Sequence, residues 1–417
     1  MSQEPAFATS LRELRTRADL TLTQLAARSG VSARAISDME RGVSRGPQAR
    51  TVAALADALG LAAPQRSALL TAARAGRQRG TGEPAEPGNR CPLPRRLPDF
   101  TGRRAELDAI AARAGAGPAG AVVLVTGSPG LGKTSLAVQA AAELADAYPD
   151  GQFFVDLRGT HARPPSATVV LDRLIRAVRP GVASVPRSRD AAAALWRSVT
   201  EGLRVAVVLD DAAAEGQIRP VLPAGPSLVL VTSRRALPGL AAAGRIVLEP
   251  LPTTVAVGML AGIVPDRAAQ VAGLSRLADL CAGVPLALRI AGNRLASRPG
   301  WSADDLVARL AAEDRRLDGL AVGDLSVKAA FESSYRQLSE VGRRLFRRLA
   351  LVPGATTGVP LAAVRAAGPP AVTAAAFGEL LDLGLVRQGP DGRYSLHDLL
   401  RLYAVAELRR DEATGPR

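Results

Sequence analysis

Four successive parts are predicted for this chain. They are an all-α helix-turn-helix domain, an α/β P-loop domain with a parallel sheet, a helical domain and a winged-helix domain. Three observations carry that multidomain expectation. Residues 8–76 show helical apolar spacing broken by a glycine turn. From 99 to 250, short apolar runs alternate with helical patterns, as parallel sheets require. Inside that region Gly127-Ser128-Pro129-Gly130-Leu131-Gly132-Lys133-Thr134 joins an apolar run to a helix.

In the first part (1–76), Ser10 with Glu13 forms a capping box that predicts a helix with Leu11, Leu14 and Ala18 on one side. Residues Thr23 to Gly42 then parse as a helix, a turn at Gly30 and a second helix capped by Ser32. Leu25, Ala26, Val31, Ile36 and Met39 fall on the buried sides, and Ala33, Arg34, Ser37, Asp38 and Arg41 face outward. A short second helix with exposed N-terminal residues is the shape that enters a DNA major groove. Residues 1–100 hold 15 Arg against 9 acidic residues, a balance suited to a polyanion.

With its trailing helix Thr51 to Leu59, this stretch resembles the phage-repressor-like (XRE/Cro) helix-turn-helix family. The resemblance implies that Gln24 and Ser32 hold phosphates, that Arg34, Ser37 and Asp38 face base edges beside Ala33, and that Arg41 and Arg45 lie near the DNA backbone. Double-stranded DNA is then the expected partner. One unit contacts one half-site, so useful affinity calls for a palindromic operator and two copies. The alternative is a helical adaptor that binds protein. Glycines and prolines crowd residues 77–98, which read as a linker.

The third observation is the most specific. Only Lys133 and Lys328 interrupt the arginines among 53 basic residues, and Lys133 stands where a phosphate-binding loop requires lysine. Glycines such as Gly127, Gly130 and Gly132 let the loop Pro129–Ser135 wrap a β-phosphate with the backbone N–H groups from Gly130 onward. Lys133 reaches the β- and γ-phosphates, and Thr134 ligates Mg²⁺. Residues 121–126 are expected as the strand before the loop and 135–147 as the helix after it. Further strands are expected at 152–157, 205–210, 227–232 and 245–248.

The run Val205–Asp211 ends in two acids: Asp210 is the expected Mg²⁺ partner and Asp211 the expected water-orienting group. Leu228–Arg235 is a strand ending in Arg234, whose guanidinium is placed to touch a γ-phosphate. Lys133, Asp210, Asp211 and Arg234 are therefore the candidate catalytic residues. ATP or ADP with Mg²⁺ is the expected ligand. Residues 251–325 look all-helical. In 326–410, Leu385–Arg387 and Arg393–Ser395 flank the turn signal Asp391-Gly392, as in a winged helix.

Together these pieces resemble the NB-ARC branch of the STAND ATPases, a class that includes plant disease-resistance proteins and apoptosome ATPases. Asp99-Phe100-Thr101-Gly102-Arg103-Arg104 stands where that family has a box beside the adenine, with Arg104 in place of its acid. Cys281-Ala282-Gly283-Val284-Pro285-Leu286-Ala287-Leu288 matches the Gly-Leu-Pro-Leu motif, whose proline packs on the base. Tyr394-Ser395-Leu396-His397-Asp398-Leu399 matches the Met-His-Asp motif. The resemblance, over about 98–405, implies that Phe100, Thr101, Arg103 and Pro285 surround the nucleotide base. It also implies that His397 contacts the β-phosphate of ADP and keeps the protein closed. ATP then favours an open homo-oligomer, ADP a monomer or dimer, and slow hydrolysis resets the switch. His161 has no such context and is expected at the surface. A helix-turn-helix joined to such a module resembles actinobacterial regulators.

Composition narrows the rest. Aromatics are 3 % against 47 % hydrophobic residues, so Ala, Leu and Val must fill the cores. Neither Cys91 nor Cys281 has metal-ligand spacing, and two cysteines make no disulfide framework. No apolar run reaches 18 residues and Met1 to Ser10 lacks a signal peptide's pattern, so a cytosolic location is expected. The formal charge of +14 favours a polyanionic partner. The reading is a transcription regulator gated by ADP/ATP-dependent assembly. The alternatives are a signalling or defence scaffold, or a constitutive DNA binder with structural ADP.

Overall fold

The computed structural model describes residues 6–40, 47, 49–62, 65–66, 68–70, 91–114, 120–242, 244–353, 355–356, 370–389 and 391–414. Two compact units make up the chain, Met1–Gly88 and Asn89–Arg417.

In the first unit, α1 (Ala6–Arg17), α2 (Leu22–Ser29), α3 (Ala33–Glu40) and α4 (Ala49–Ala58) enclose Phe7, Leu11, Leu25, Ile36, Met39, Val52 and Leu55. The expected start at Ser10 is corrected: α1 begins at Ala6, because Phe7 extends the apolar stripe one turn before Leu11. Ala18 is exposed beyond the helix, and Leu20 takes the buried position. A capping box does form, one helix later. Thr21 Oγ1 accepts from Gln24 N and Gln24 Oε1 accepts from Thr21 N. The turn holds as expected, with Gly30 at φ 69° donating to Ala26 O, a left-handed cap that glycine adopts without strain. Ser32 Oγ accepts from Ala35 N at 3.2 Å, starting α3. Arg15 grips Glu40 at 2.6 and 2.9 Å and also donates to Leu20 O, which clamps α1 to the end of α3.

In the second unit, β1 (Ala121–Gly127), β2 (Gln152–Asp156), β3 (Ala206–Ala212), β4 (Leu228–Ser233) and β5 (Gly244–Leu248) form a parallel sheet in the order β2-β3-β4-β1-β5. Both faces are covered, which explains the unbroken apolar runs. Val123, Val125, Val208 and Leu230 face one core, with the helix Arg104–Ala114 (α5) and the phosphate-loop helix Lys133–Glu143 (α6). Leu124, Val207, Leu209 and Val231 face another, with α7 (Ala167–Val178) and α8 (Arg189–Thr200). The loop helix starts two residues before the expected Ser135, at Lys133, and gives way at Ala145–Ala147 to a 3₁₀ turn.

A short helix, α9 (Glu215–Ile218), follows β3. Beyond β5 come α10 (Thr253–Ile263), α11 (Val271–Leu280), α12 (Pro285–Ala296), α13 (Ala303–Leu310) and α14 (Glu313–Gly319). The all-helical expectation for 251–325 needs one correction. Ala321–Val322 (β6) and Leu325–Ser326 (β7) form a small antiparallel hairpin around Gly323. Then follow α15 (Val327–Tyr335), α16 (Glu340–Leu349), α17 (Pro370–Asp382), the expected strand pair β8 (Arg387–Gln388) and β9 (Tyr394–Ser395), and α18 (Asp398–Thr414). Leu277, Leu288, Phe331, Phe346 and Leu399 belong to the same core as the first sheet face. Among the described residues, no helix is long and apolar enough to cross a membrane.

Candidate nucleotide site

Parallel strands bring all their C-terminal ends to one edge, where ligands of such sheets bind. β1 feeds the phosphate loop, β2 ends at Asp156, β3 carries Asp210 and Asp211 just before its last residue, and β4 leads into Arg234. These ends line a cleft of about 590 Å³. Ten of the residues expected at the nucleotide line it: Pro129, Gly130, Gly132, Lys133, Thr134, Ser135, Asp210, Asp211, Arg234 and Pro285. Phe100, Thr101, Arg103 and Leu131 line an adjoining pocket that shares Gly132, Ser135 and Pro285 with the cleft. Gly127 closes β1, and its carbonyl accepts from Lys133 Nζ at 2.8 Å.

Lys133 Nζ also donates to Ser128 O at 2.9 Å. Desolvation, reinforced by Arg234, pushes its pKa down to about 7 against the attraction of Asp210 and Asp211. A polyphosphate in the cleft would supply the missing negative charge. Thr134 Oγ1 donates to Asp210 Oδ1 at 2.7 Å, and Thr232 Oγ1 donates to the same oxygen at 2.5 Å. Burial raises the Asp210 pKa, while the two hydroxyls oppose the rise. One hydroxyl and one carboxylate at a single point suit Mg²⁺, which takes few protein ligands and completes its shell with phosphate and water. No cluster of three His, Cys, Asp or Glu side chains suited to a metal occurs among the described residues.

Asp211 is held differently. Its backbone is left-handed, φ 52°, where the β3–β4 register shifts between Leu209 and Ala212. Its Oδ2 accepts from both Thr160 N, at 2.9 Å, and Thr160 Oγ1, at 2.7 Å. Arg234 donates to Ser334 Oγ at 2.6 Å and to Ala330 O at 3.3 Å, so the end of β4 is tied to α15. Ser128 Oγ donates to Gly384 O at 2.6 Å, which ties the phosphate loop to the turn after α17.

The motifs expected beside the base are anchored by local contacts. Pro285 opens α12, and Leu286 N donates to Gly130 O at 3.1 Å. Arg103, at φ 62°, donates to Glu106 Oε1 and Glu249 O. Arg104 lies outward, paired with Asp108 at 2.6 Å. Arg289 pairs with Asp99, whose Oδ1 is buried without a hydrogen-bond partner.

His397 is not among the residues lining the cleft. Its Nδ1 accepts from Leu400 N at 3.3 Å, which caps α18, and its ring lies 5.4 Å from Phe331. Desolvation, then Arg387, pushes its pKa down to about 3, so the imidazole is neutral. With Nδ1 accepting, the proton sits on Nε2, a buried donor that lacks a partner.

Asp156, Thr160, His161, Thr232, Met259 and Arg289 also line the cleft, and sequence reading missed them. His161 is exposed, as expected, but the surface it occupies is the cleft wall. The short acid-containing run Asp156–His161 directly after β2 was the available signal. In the other unit, Gln24 and Ser32 are exposed, Ala33, Ser37 and Asp38 are partly exposed, and Arg34 lies within α3. Arg41 and Arg45 lie outside the described residues.

A family model for a helix-turn-helix domain matches residues 6–69. The regulatory protein AfsR of Streptomyces griseus is 40 % identical over 328 residues, 77 % of this chain and 33 % of that protein. AfsR of Streptomyces coelicolor is 39 % identical over 333 residues, 78 % of this chain and 34 % of that protein. Matches that long lie mostly beyond the N-terminal unit. The Walker-type ATPase of Pyrococcus abyssi superposes with TM-score 0.53 at 14 % identity, covering 77 % of this chain and 98 % of its own. This chain joins a helix-turn-helix domain to a module with a P-loop ATPase fold. The module's fold thus agrees with the cleft built by its strand ends. The chain spans about a third of the length of the AfsR proteins it matches.

Proposed function

We propose that this protein is a transcription regulator whose helix-turn-helix reads an operator under control of ATP or ADP in the P-loop module. Its likeness to two proteins named as regulators supports that reading. The observation that carries the control is the pair of bonds from the nucleotide cleft to the C-terminal part: Ser128 to Gly384 and Arg234 to Ser334. A γ-phosphate that recruits Arg234 competes with Ser334 for the same guanidinium. ATP and ADP therefore differ in affinity for the docked and released states, and that difference is what shifts the equilibrium.

In this reading, residues 326–410 form a winged-helix domain held over the nucleotide. Lys133 and the loop N–H groups hold the phosphates, and Thr134 with Asp210 holds Mg²⁺, whose charge neutralises the phosphate oxygens. Phe100, Thr101, Arg103 and Pro285 surround the base. His397, whose Nε2–H is buried outside the cleft lining, is the donor proposed for the β-phosphate of ADP once nucleotide is bound. Asp398 accepts from buried Arg316 at 2.8 Å and from Arg401 at 3.2 Å, which latches α18 to the segment around α14. Release exposes surface for assembly, and two or more helix-turn-helix domains then engage a palindromic site together. Arg34, Ser37 and Asp38 read bases, while Gln24, Ser32, Arg41 and Arg45 contact the backbone. Hydrolysis is slow and resets the switch in the cytoplasm.

Light scattering of the full chain with Mg·ADP and with a non-hydrolysable Mg·ATP analogue tests the control. The expected result is a larger assembly with the ATP analogue. Equal mass with both nucleotides contradicts it.

A further inference from the structure

The structure gives Asp211 a task other than facing water. Four hydrogen bonds fasten the loop after β2 to the end of β3. Leu157 N donates to Asp210 O at 2.8 Å and Gly159 N to Asp211 O at 2.7 Å, and Thr160 donates twice to Asp211 Oδ2. His161 N donates in turn to Arg158 O at 3.0 Å, closing a tight turn. The next side chain along this fastened loop is His161, which lines the same cleft as Thr134, Asp210 and Arg234. Charged groups sharing that cleft are Asp156 and Asp210 with Asp211 from the strand ends, Lys133 from the loop helix, Arg234 after β4 and Arg289 from α12; Arg158 lies on the loop itself.

We infer that His161 is a catalytic residue of nucleotide hydrolysis and that Asp211 is the positioning residue that holds it there. This rests on the nucleotide-binding reading above. Each carboxylate in the cleft has one oxygen engaged: Asp210 Oδ1 takes two hydroxyls, Asp211 Oδ2 takes Thr160, and Asp156 Oδ1 takes Arg158 N. Imidazole brings a nitrogen that accepts a proton and an N–H that donates. In the step, the water oxygen bonds to the γ-phosphorus and the bond from that phosphorus to the bridging oxygen of ADP breaks. The water proton passes to the imidazole and then to the released phosphate.

The test uses the full chain. Mg·ADP affinity and single-turnover phosphate release are measured for the native protein, His161→Ala, Asp211→Asn and Thr160→Val, with and without added free imidazole. His161→Ala is expected to keep Mg·ADP affinity, lose about a hundredfold in rate and regain part of it with imidazole. Asp211→Asn and Thr160→Val are expected to slow release without imidazole rescue, because their histidine is present but misplaced. An unchanged rate in His161→Ala, or a lost rate that imidazole leaves untouched, overturns the inference while Mg·ADP binding still supports the nucleotide site. Native protein that binds no nucleotide overturns both.

Discussion

Each functional side chain in the module has a stated physical task, and single substitutions separate those tasks. Lys133 is a desolvated cation that polyphosphate would stabilise. Ligand at a hundred times its Kd stabilises a native protein by about 2.7 kcal/mol. Mg·ADP is therefore expected to raise the native melting temperature, and Lys133→Ala to abolish that rise in a thermal-shift assay. An equal rise in the variant contradicts the loop's role. His397 gives a pH signature. Its folded pKa, near 3, lies below the unfolded value of about 6.5. The unfolded chain then binds the extra proton, so stability is present above pH 6.5 and is lost as pH falls toward 3. His397→Gln removes that loss, so its melting temperature relative to native is expected to climb between pH 7.5 and pH 5. A pH-independent difference contradicts the burial of a neutral imidazole.

At the scale of elements, the cleft depends on turns and latches that join distant parts of the chain. Gly384 has φ 64°, and a Cβ there would lie 3.1 Å from Gly127 O and 3.2 Å from Ser128 Cα. Gly384→Ala is expected to lift that turn off the phosphate loop and accelerate release of a fluorescent ADP analogue several-fold. Unchanged release would detach the turn from nucleotide control. Asp398→Val leaves the buried Arg316 guanidinium without its part-exposed carboxylate, a loss of about 1–3 kcal/mol. It is expected to release α18 and raise spontaneous assembly on a sizing column, and unchanged elution counts against the latch.

Local signals explain what sequence reading captured of these elements. Apolar runs marked each of the five parallel strands, and Asp391-Gly392 marked the turn between β8 and β9. The phosphate loop was legible because glycine, lysine and threonine spacing is itself the chemistry. The start of α1 and the hairpin at Ala321–Ser326 were missed, since one aromatic and two short pairs leave little periodic trace. Thr160 and His161 were missed for another reason. Thr160 bonds to a strand residue 51 positions away and His161 is its neighbour on the loop so fastened, a relation that spacing does not reveal.

For the whole molecule, the +14 charge and the helix-turn-helix point the same way. Each phosphate neutralised by Lys or Arg steepens the salt dependence of DNA affinity. Arg34→Ala is expected to cost about 1–3 kcal/mol at one base position and to relax specificity there. A uniform loss over all sequences would make Arg34 a backbone contact instead. The proposed control of DNA occupancy runs from nucleotide state through assembly. It is tested most directly by selecting genomic DNA fragments with purified full chain, in parallel with Mg·ADP and a non-hydrolysable Mg·ATP analogue. One palindromic site is expected, with an enrichment that changes strongly between the two nucleotides. Equal enrichment in both, or none in either, contradicts it.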